Sequence, residues 1–204
     1  MHKLLFATNN SHKITEIQAA IGDQIEVVGL KEAGITADIP EPYDTLEENA
    51  LEKAHFIASL SGLNCFSEDT GLEVAALNGE PGVRSARYAG ENRSSSDNIQ
   101  KLLRELEGKP DRSARFRTVI SLIWGEERFL FEGICEGHIL SAEKGSGGFG
   151  YDPVFMPLGS NRTFAEMSME EKNSYSHRKK AADKLVLFLQ QQPLSSSNNY
   201  KSII

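Results

Sequence analysis

The chain is poor in cysteine, with two in 204 residues. Cys65 and Cys135 lie among apolar neighbours and neither has a CxxC partner, so a disulfide framework or a thiolate metal site finds no support in their spacing. They read as buried free thiols in a reducing compartment. No apolar run approaches the roughly 18 residues that a membrane span requires, and no basic-then-apolar leader follows Met1. A soluble, cytoplasmic protein with no membrane partner is the expectation. Basic charge is also short: 22 Lys and Arg stand against 29 Asp and Glu, for a net charge of -7. A large nucleic-acid footprint normally shows as a basic domain, so nucleic acid is not expected as a partner. A small polyanion such as a triphosphate stays open, because a few local Lys and Arg and a divalent cation suffice to hold it. No internal repeat is visible.

What is present suits one ordinary domain or two small lobes, large enough to bury roughly 70% of the unfolded surface. Leu4-Leu5-Phe6-Ala7 is a short apolar run ending at Thr8, and Ile14, Ile17 and Ile21 then recur at helical spacing. A strand, a loop and a helix follow from this. Ile25 to Leu30 reads as a strand and Asp38 to Asp44 as a loop with two prolines. Leu46, Ala50, Leu51, Ala54, Ile57 and Ala58 mark one face of a helix over residues 45 to 61 that ends at Gly62. Cys65-Phe66 starts a further strand that turns at SEDTG, with Leu72 to Leu77 a strand again. Asn78 to Asn92, with three glycines and a proline, reads as a loop. Asp97 to Glu107 reads as a helix. Phe116 to Trp124 and Arg128 to Leu140 form a hairpin about Gly125-Glu126. A helix over Ser176 to Gln192 closes the fold. Residues 1–192 are expected to form a single two-lobed domain, and 193–204, rich in Ser and Asn, a disordered tail. Alternating strands and helices followed by a long hairpin predict an α/β fold with a mixed sheet and flanking helices.

Four short motifs carry the chemistry. Gly147-Gly148-Phe149-Gly150-Tyr151-Asp152-Pro153 sets an aromatic between glycines and a carboxylate beside a proline. Glycine lets a flat ligand approach the backbone, the ring offers a stacking face and Asp a fixed acceptor, which suits a nucleobase. Alone, the stretch is equally a glycine-rich corner with a core Phe. Two helices open on bases, Ser11-His12-Lys13 and Ser176-His177-Arg178-Lys179-Lys180, although the macrodipole favours acids there. A bound phosphate would remove the conflict; indifferent surface charge is an equal reading for either helix alone, but its occurring twice favours the phosphate. In SEDTG, a turn at Thr70-Gly71 would bring Glu68 and Asp69 to one crevice, where two carboxylates beside a hydroxyl suit Mg²⁺. An acidic turn is the plainer reading. Glu41 is a candidate third acid, whereas Glu47, Glu48 and Glu52 read as a solvated helix face, the default reading for Lys53 as well. Together the motifs favour metal-assisted hydrolysis of a nucleoside triphosphate.

The ordered series LLFATNNSHKITEI, ENALEKA, SEDTGLEV, PGVRSARYAG, GGFGYDPVF and EEKNSYSHRKKA resembles the inosine triphosphate pyrophosphatases, also called XTP/dITP diphosphatases, over nearly the whole chain. The resemblance implies two lobes around a deep cleft, a homodimer, and Mg²⁺-dependent cleavage of ITP, dITP or XTP to the monophosphate and pyrophosphate, which removes them from the nucleotide pool. By position, Thr8, Asn9, Asn10 and Lys13 match the triphosphate loop, and Lys53 a further phosphate contact. Asp69 matches the proton acceptor and metal site, assisted by Glu68 and Glu41, with Thr70 beside the substrate. Phe149, Gly150, Tyr151 and Asp152 match the base pocket, and Lys172, His177 and Arg178 the residues closing over the purine. At the second basic helix start the resemblance thus places a base carbonyl rather than a phosphate. Three positions depart from the pattern: Thr70 where Ser is common, Tyr151 where Trp also occurs, and Arg84 where Tyr is frequent. A non-catalytic nucleotide sensor, a pyrophosphatase for modified pyrimidine triphosphates and a protein-interaction module are the alternatives.

Overall fold

The computed structural model describes residues 2–37 and 39–192. The expected tail, 193–204, lies outside the described residues, as does Asp38 at the start of the proline loop. The strands are β1 (His2–Phe6), β2 (Ile25–Gly29), β3 (Cys65–Val74), β4 (Pro81–Gly82), β5 (Ser113–Trp124), β6 (Glu127–Ile139) and β7 (Phe155–Pro157). The helices are α1 (Ser11–Ile21), α2 (Leu46–Ser61), α3 (Ser95–Glu105), α4 (Met169–Tyr175) and α5 (His177–Gln190). The sheet runs in the order β2-β1-β3-β5-β6-β7, with β4 on β3. β1 is parallel to β2 and β3, whereas β4 on β3 and β7 on β6 are antiparallel. The sheet is mixed, as expected for βα units followed by a hairpin.

Local signals account for most boundaries. Asn10 caps α1 by accepting from the Lys13 backbone N-H, and Thr45 caps α2 by accepting from that of Glu48. α2 ends where Gly62 turns left-handed at φ 69°, a conformation that costs glycine little. The two-residue turn Gly125-Glu126 joins β5 to β6 as expected. Three elements depart from the sequence reading. β3 does not turn at SEDTG but continues through it for ten residues. A further helix, α4, precedes the expected one and closes where Ser176 takes an extended conformation (ψ 131°); the helix expected over Ser176 to Gln192 is then found as α5, His177–Gln190. The loop Asn78 to Asn92 contains β4 and is tied to α3: the Asn98 side chain accepts from the Ala89 N-H at 2.7 Å and donates to the Ala86 carbonyl at 3.0 Å.

The chain divides into two compact units, one from the described residues of 1–69, 118–133 and 178–204, the other from 70–117 and 134–177. In the first, Leu4, Phe6, Phe66, Ile120 and Leu122 pack with Ile17 of α1 and Leu185 of α5. Leu5, Ala7 and Cys65 pack with Ile57 of α2. Odd and even strand positions therefore face different helices, as the two-residue period of a strand requires. In the second unit Leu72, Val74, Leu102, Phe116, Tyr151, Phe155 and Phe164 share one core.

Candidate active site

Strand parity organises the acids of the first unit. Ser67 and Asp69 face α2: the Ser67 hydroxyl donates to the Ala50 carbonyl and Asp69 meets Lys53. Glu68, one residue away, faces α1 and α5. Lys53 sits on the inward face of α2 with Asn49, Ala50 and Ala54, and only 5% of it is exposed. Its Nζ donates to Glu41 Oε1 at 2.8 Å and Asp69 Oδ1 at 2.9 Å. Glu41 is carried by a loop that Asn49 holds, since the Asn49 amide accepts from the Tyr43 N-H at 3.0 Å and donates to the Tyr43 carbonyl at 2.9 Å. Burial disfavours the Lys53 charge, yet Asp69 and Glu41 outweigh it and raise the ammonium above its ordinary value. Asp69 is also raised: desolvation, helped by the like charge of Glu41, prevails over Lys53 and Lys13. A carboxyl moved upward in this way is suited to accept a proton.

Glu68 has the opposite character. Arg178 grips it with two parallel bonds, Nε to Oε2 at 2.7 Å and Nη2 to Oε1 at 3.1 Å, and also donates to Glu16. Lys13 Nζ stands 3.1 Å from Glu68 Oε1. Desolvation alone would raise the Glu68 carboxyl, but Arg178 and Lys13 hold it down to about 2. Charges in this network balance, with Arg178 and Lys13 against Glu68 and Glu16. Before Lys13 in the chain, the Thr8 hydroxyl accepts from the Asn10 N-H at 3.2 Å, and Asn9 is exposed.

The second unit gathers another charged pair. Asp152 Oδ2 accepts from Lys172 Nζ at 2.6 Å and from the Phe149 N-H at 2.9 Å. A side chain on Gly148, which has φ 71°, would place its Cβ 2.0 Å from the same oxygen; only glycine fits there. The Lys172 ammonium lies over Phe149 at 5.4 Å and over Phe164 at 5.1 Å from the ring centroids. His177 is stacked on Phe116 at 4.6 Å with an interplanar angle of 14°. Gly150 turns at φ 62° between Phe149 and Tyr151. Thr70 is half-buried in β3.

Residues 4–188 match the model of the Ham1 family. The chain belongs to the Ham1 family. A protein named dITP/XTP pyrophosphatase from Porphyromonas gingivalis is 54% identical over 190 residues, covering 93% of this chain and 98% of its own length. One with the same name from Flavobacterium johnsoniae is 48% identical over 184 residues, covering 90% of this chain and 96% of its own. The structure of a HAM1 protein from Coxiella burnetii superposes with a TM-score of 0.85 at 39% identity, covering 94% of this chain and 100% of that one. The Staphylococcus aureus Ham1 protein gives 0.83 at 41% identity, covering 92% and 98%.

Within this Ham1 chain the structure rearranges several of the expected roles. Glu41 and Asp69 meet at Lys53, whereas Glu68, of the opposite parity in β3, pairs with Arg178 and Lys13, and among the described residues no three acids, histidines or cysteines gather as a metal-holding group. Lys53 is buried rather than part of a solvated face. Arg178, expected over a purine, is engaged by Glu68 and Glu16. Tyr151 belongs to the core, and its hydroxyl donates to the Ser85 carbonyl at 2.8 Å. Four partners were missed. Glu16 was legible as a charge inside the Ile14, Ile17, Ile21 stripe, and Asn49 as a polar residue on the apolar face of α2. Phe116 and Phe164 carried no local signal beyond their hydrophobicity.

Proposed function

We propose that this protein is a nucleoside triphosphate pyrophosphohydrolase that converts ITP, dITP and XTP to the monophosphate and pyrophosphate. Its relatives bear the name dITP/XTP pyrophosphatase. The observation that carries the chemistry is the buried Lys53 ammonium shared by Glu41 and Asp69. Asp69, its carboxyl raised by burial, accepts the proton of the water that attacks the α-phosphorus. Lys53 and Lys13 neutralise phosphate charge, with Thr8, Asn9 and Asn10 along the chain entering α1 and Thr70 beside the substrate. Glu68, held anionic, keeps Lys13 and Arg178 in place.

Asp69 and Glu41 are hard oxygen donors, a pair that fits Mg²⁺ alongside phosphate oxygens; Glu68 is already committed to Arg178 and Lys13. When bound, Mg²⁺ would supply charge neutralisation on the departing pyrophosphate.

Base choice is assigned to Lys172 and His177, with Phe149 as the stacking face, Gly150 allowing close approach and Asp152 orienting Lys172. A lysine ammonium has donors and no acceptor. It therefore meets the 6-oxo group of hypoxanthine or xanthine and is mismatched with the 6-amino group of adenine. A site of this kind can reject the mismatched base by about 10⁴. A homodimer in the cytoplasm is the setting the family resemblance implies, and light scattering measures the assembly. The deciding experiment supplies ITP, dITP, XTP, ATP and modified UTP with Mg²⁺ and identifies the products. Pyrophosphate released from the first three in large preference is expected; orthophosphate, or binding without turnover, would overturn the proposal.

A further inference from the structure

The second unit holds three phenylalanines that the proposed chemistry does not use directly. Phe116, Phe155 and Phe164 pack on one another, with centroids 4.6 Å (Phe116 to Phe155), 5.2 Å (Phe155 to Phe164) and 6.2 Å (Phe116 to Phe164) apart. They come from β5, β7 and the short turn Phe164–Glu166. Both side chains assigned to the base end, Lys172 and His177, rest on this cluster. His177 lies flat on Phe116 and also meets Phe164 at 6.4 Å, and Lys172 Nζ sits over Phe164 at 5.1 Å. Phe164 is thus common to both.

The torsion that swings an imidazole about its Cβ-Cγ bond is broad and nearly two-fold. Its own rotamer preference does not decide which way the ring nitrogens point. A parallel ring 4.6 Å away does: face-on packing leaves the imidazole free to slide but not to tilt, so the N-H directions are confined to one plane. For Lys172 the chain is longer and the orienting groups are the Asp152 carboxylate and two ring faces, which hold the ammonium through its charge. The capping box of Thr163 and Glu166 fixes the backbone that carries Phe164.

We propose that Phe116 and Phe164 are positioning residues for base selection, acting through His177 and Lys172. This rests on the assignment of those two residues to the base end. The alternative, that the rings only fill the core, makes different predictions. Phe116→Leu keeps an apolar side chain but removes the flat face, and Phe164→Leu does the same beneath Lys172. Each is expected to raise the KM for ITP about three- to ten-fold, the range of an aromatic stacking contact, with kcat within about twofold and the ITP-over-ATP preference reduced. In Phe116→Leu the ring protons of His177 lose the upfield NMR shift that a ring stacked above them imposes. Leu102→Ala, buried in the same core, is the packing control: it lowers Tm while leaving KM and preference as in the wild type. Equal KM effects in Leu102→Ala and Phe116→Leu, or leucine variants with lowered Tm and unchanged KM, would overturn the inference alone. Should Phe116→Leu fail to fold, Phe164→Leu and the wild-type His177 shift decide. A wild-type protein that releases no pyrophosphate from ITP would instead defeat the proposed function on which the inference rests.

Discussion

Replacing Lys53 by Met tests the central charge cluster most directly. Methionine is unbranched and of similar length, so it fills the space and removes only the charge. The ammonium holds two carboxylates at 2.8 and 2.9 Å, with side-chain exposures of 6% for Lys53, 25% for Glu41 and 11% for Asp69. Stripping the partner from a buried ion pair costs about 3 to 5 kcal/mol. Glu41 is exposed enough to turn toward water, which places the expected loss at the lower end, about 3 kcal/mol. For a chain of this size that is a fall in Tm of about 6 to 12 °C near pH 8. Without Lys53 the native Asp69 carboxyl rises further, so the folded state binds more protons than the unfolded state above the ordinary Asp value of 3.8. Stability then falls as pH rises through that window, and the deficit relative to wild type shrinks as pH is lowered. Thermal unfolding of both proteins from pH 8 down to pH 5 measures this, and pyrophosphate release measures the accompanying loss of at least about 10² in kcat. A deficit independent of pH, or a variant as stable and as active as wild type, would refute the reasoning.

Asp69→Asn should lose about 10² to 10⁴ in kcat with a small change in Tm, because it removes the proton acceptor while keeping the shape; near-full turnover would remove Asp69 from that role. Glu68 is held at about 2 against an ordinary 4.5, which corresponds to about 3 kcal/mol of folding stability. That contribution is complete above 4.5 and disappears as pH falls through 2, so the unfolding free energy should decline steeply across this range and less steeply in Glu68→Gln. Tyr151→Phe should cost about 1 kcal/mol through the lost bond to Ser85, or about 2 to 4 °C in Tm, and leave the preference for ITP over ATP intact. A collapse of that preference would return Tyr151 to the base contacts.

Much of the fold was legible from short-range pattern. The helix over 45 to 61 with its terminal Gly62, the first strand and helix, and the hairpin at Gly125-Glu126 follow from periodicity, caps and turn residues that act within a few positions. The misread elements share a cause. SEDTG contains residues that favour turns, yet β3 passes through it because Leu72 and Glu73 pair with Gly82 and Pro81, a contact no local window contains. The short helix α4 ahead of Ser176 went unread, whereas the closing helix begins within one residue of its expected start.

The site divides in the same way. The residue types were readable from the sequence, because acids, lysines, glycines and an aromatic in that order imply phosphate and base chemistry wherever they meet. Their pairing was not. Arg178 reaches Glu68 across 110 positions and Glu16 across 162, and Lys53 rather than a third acid stands between Glu41 and Asp69. Adjacent strand residues face opposite ways, and which helix covers each face is settled only when the chain has packed. Tertiary structure therefore decided which carboxylate is held anionic by arginine and which is raised by burial.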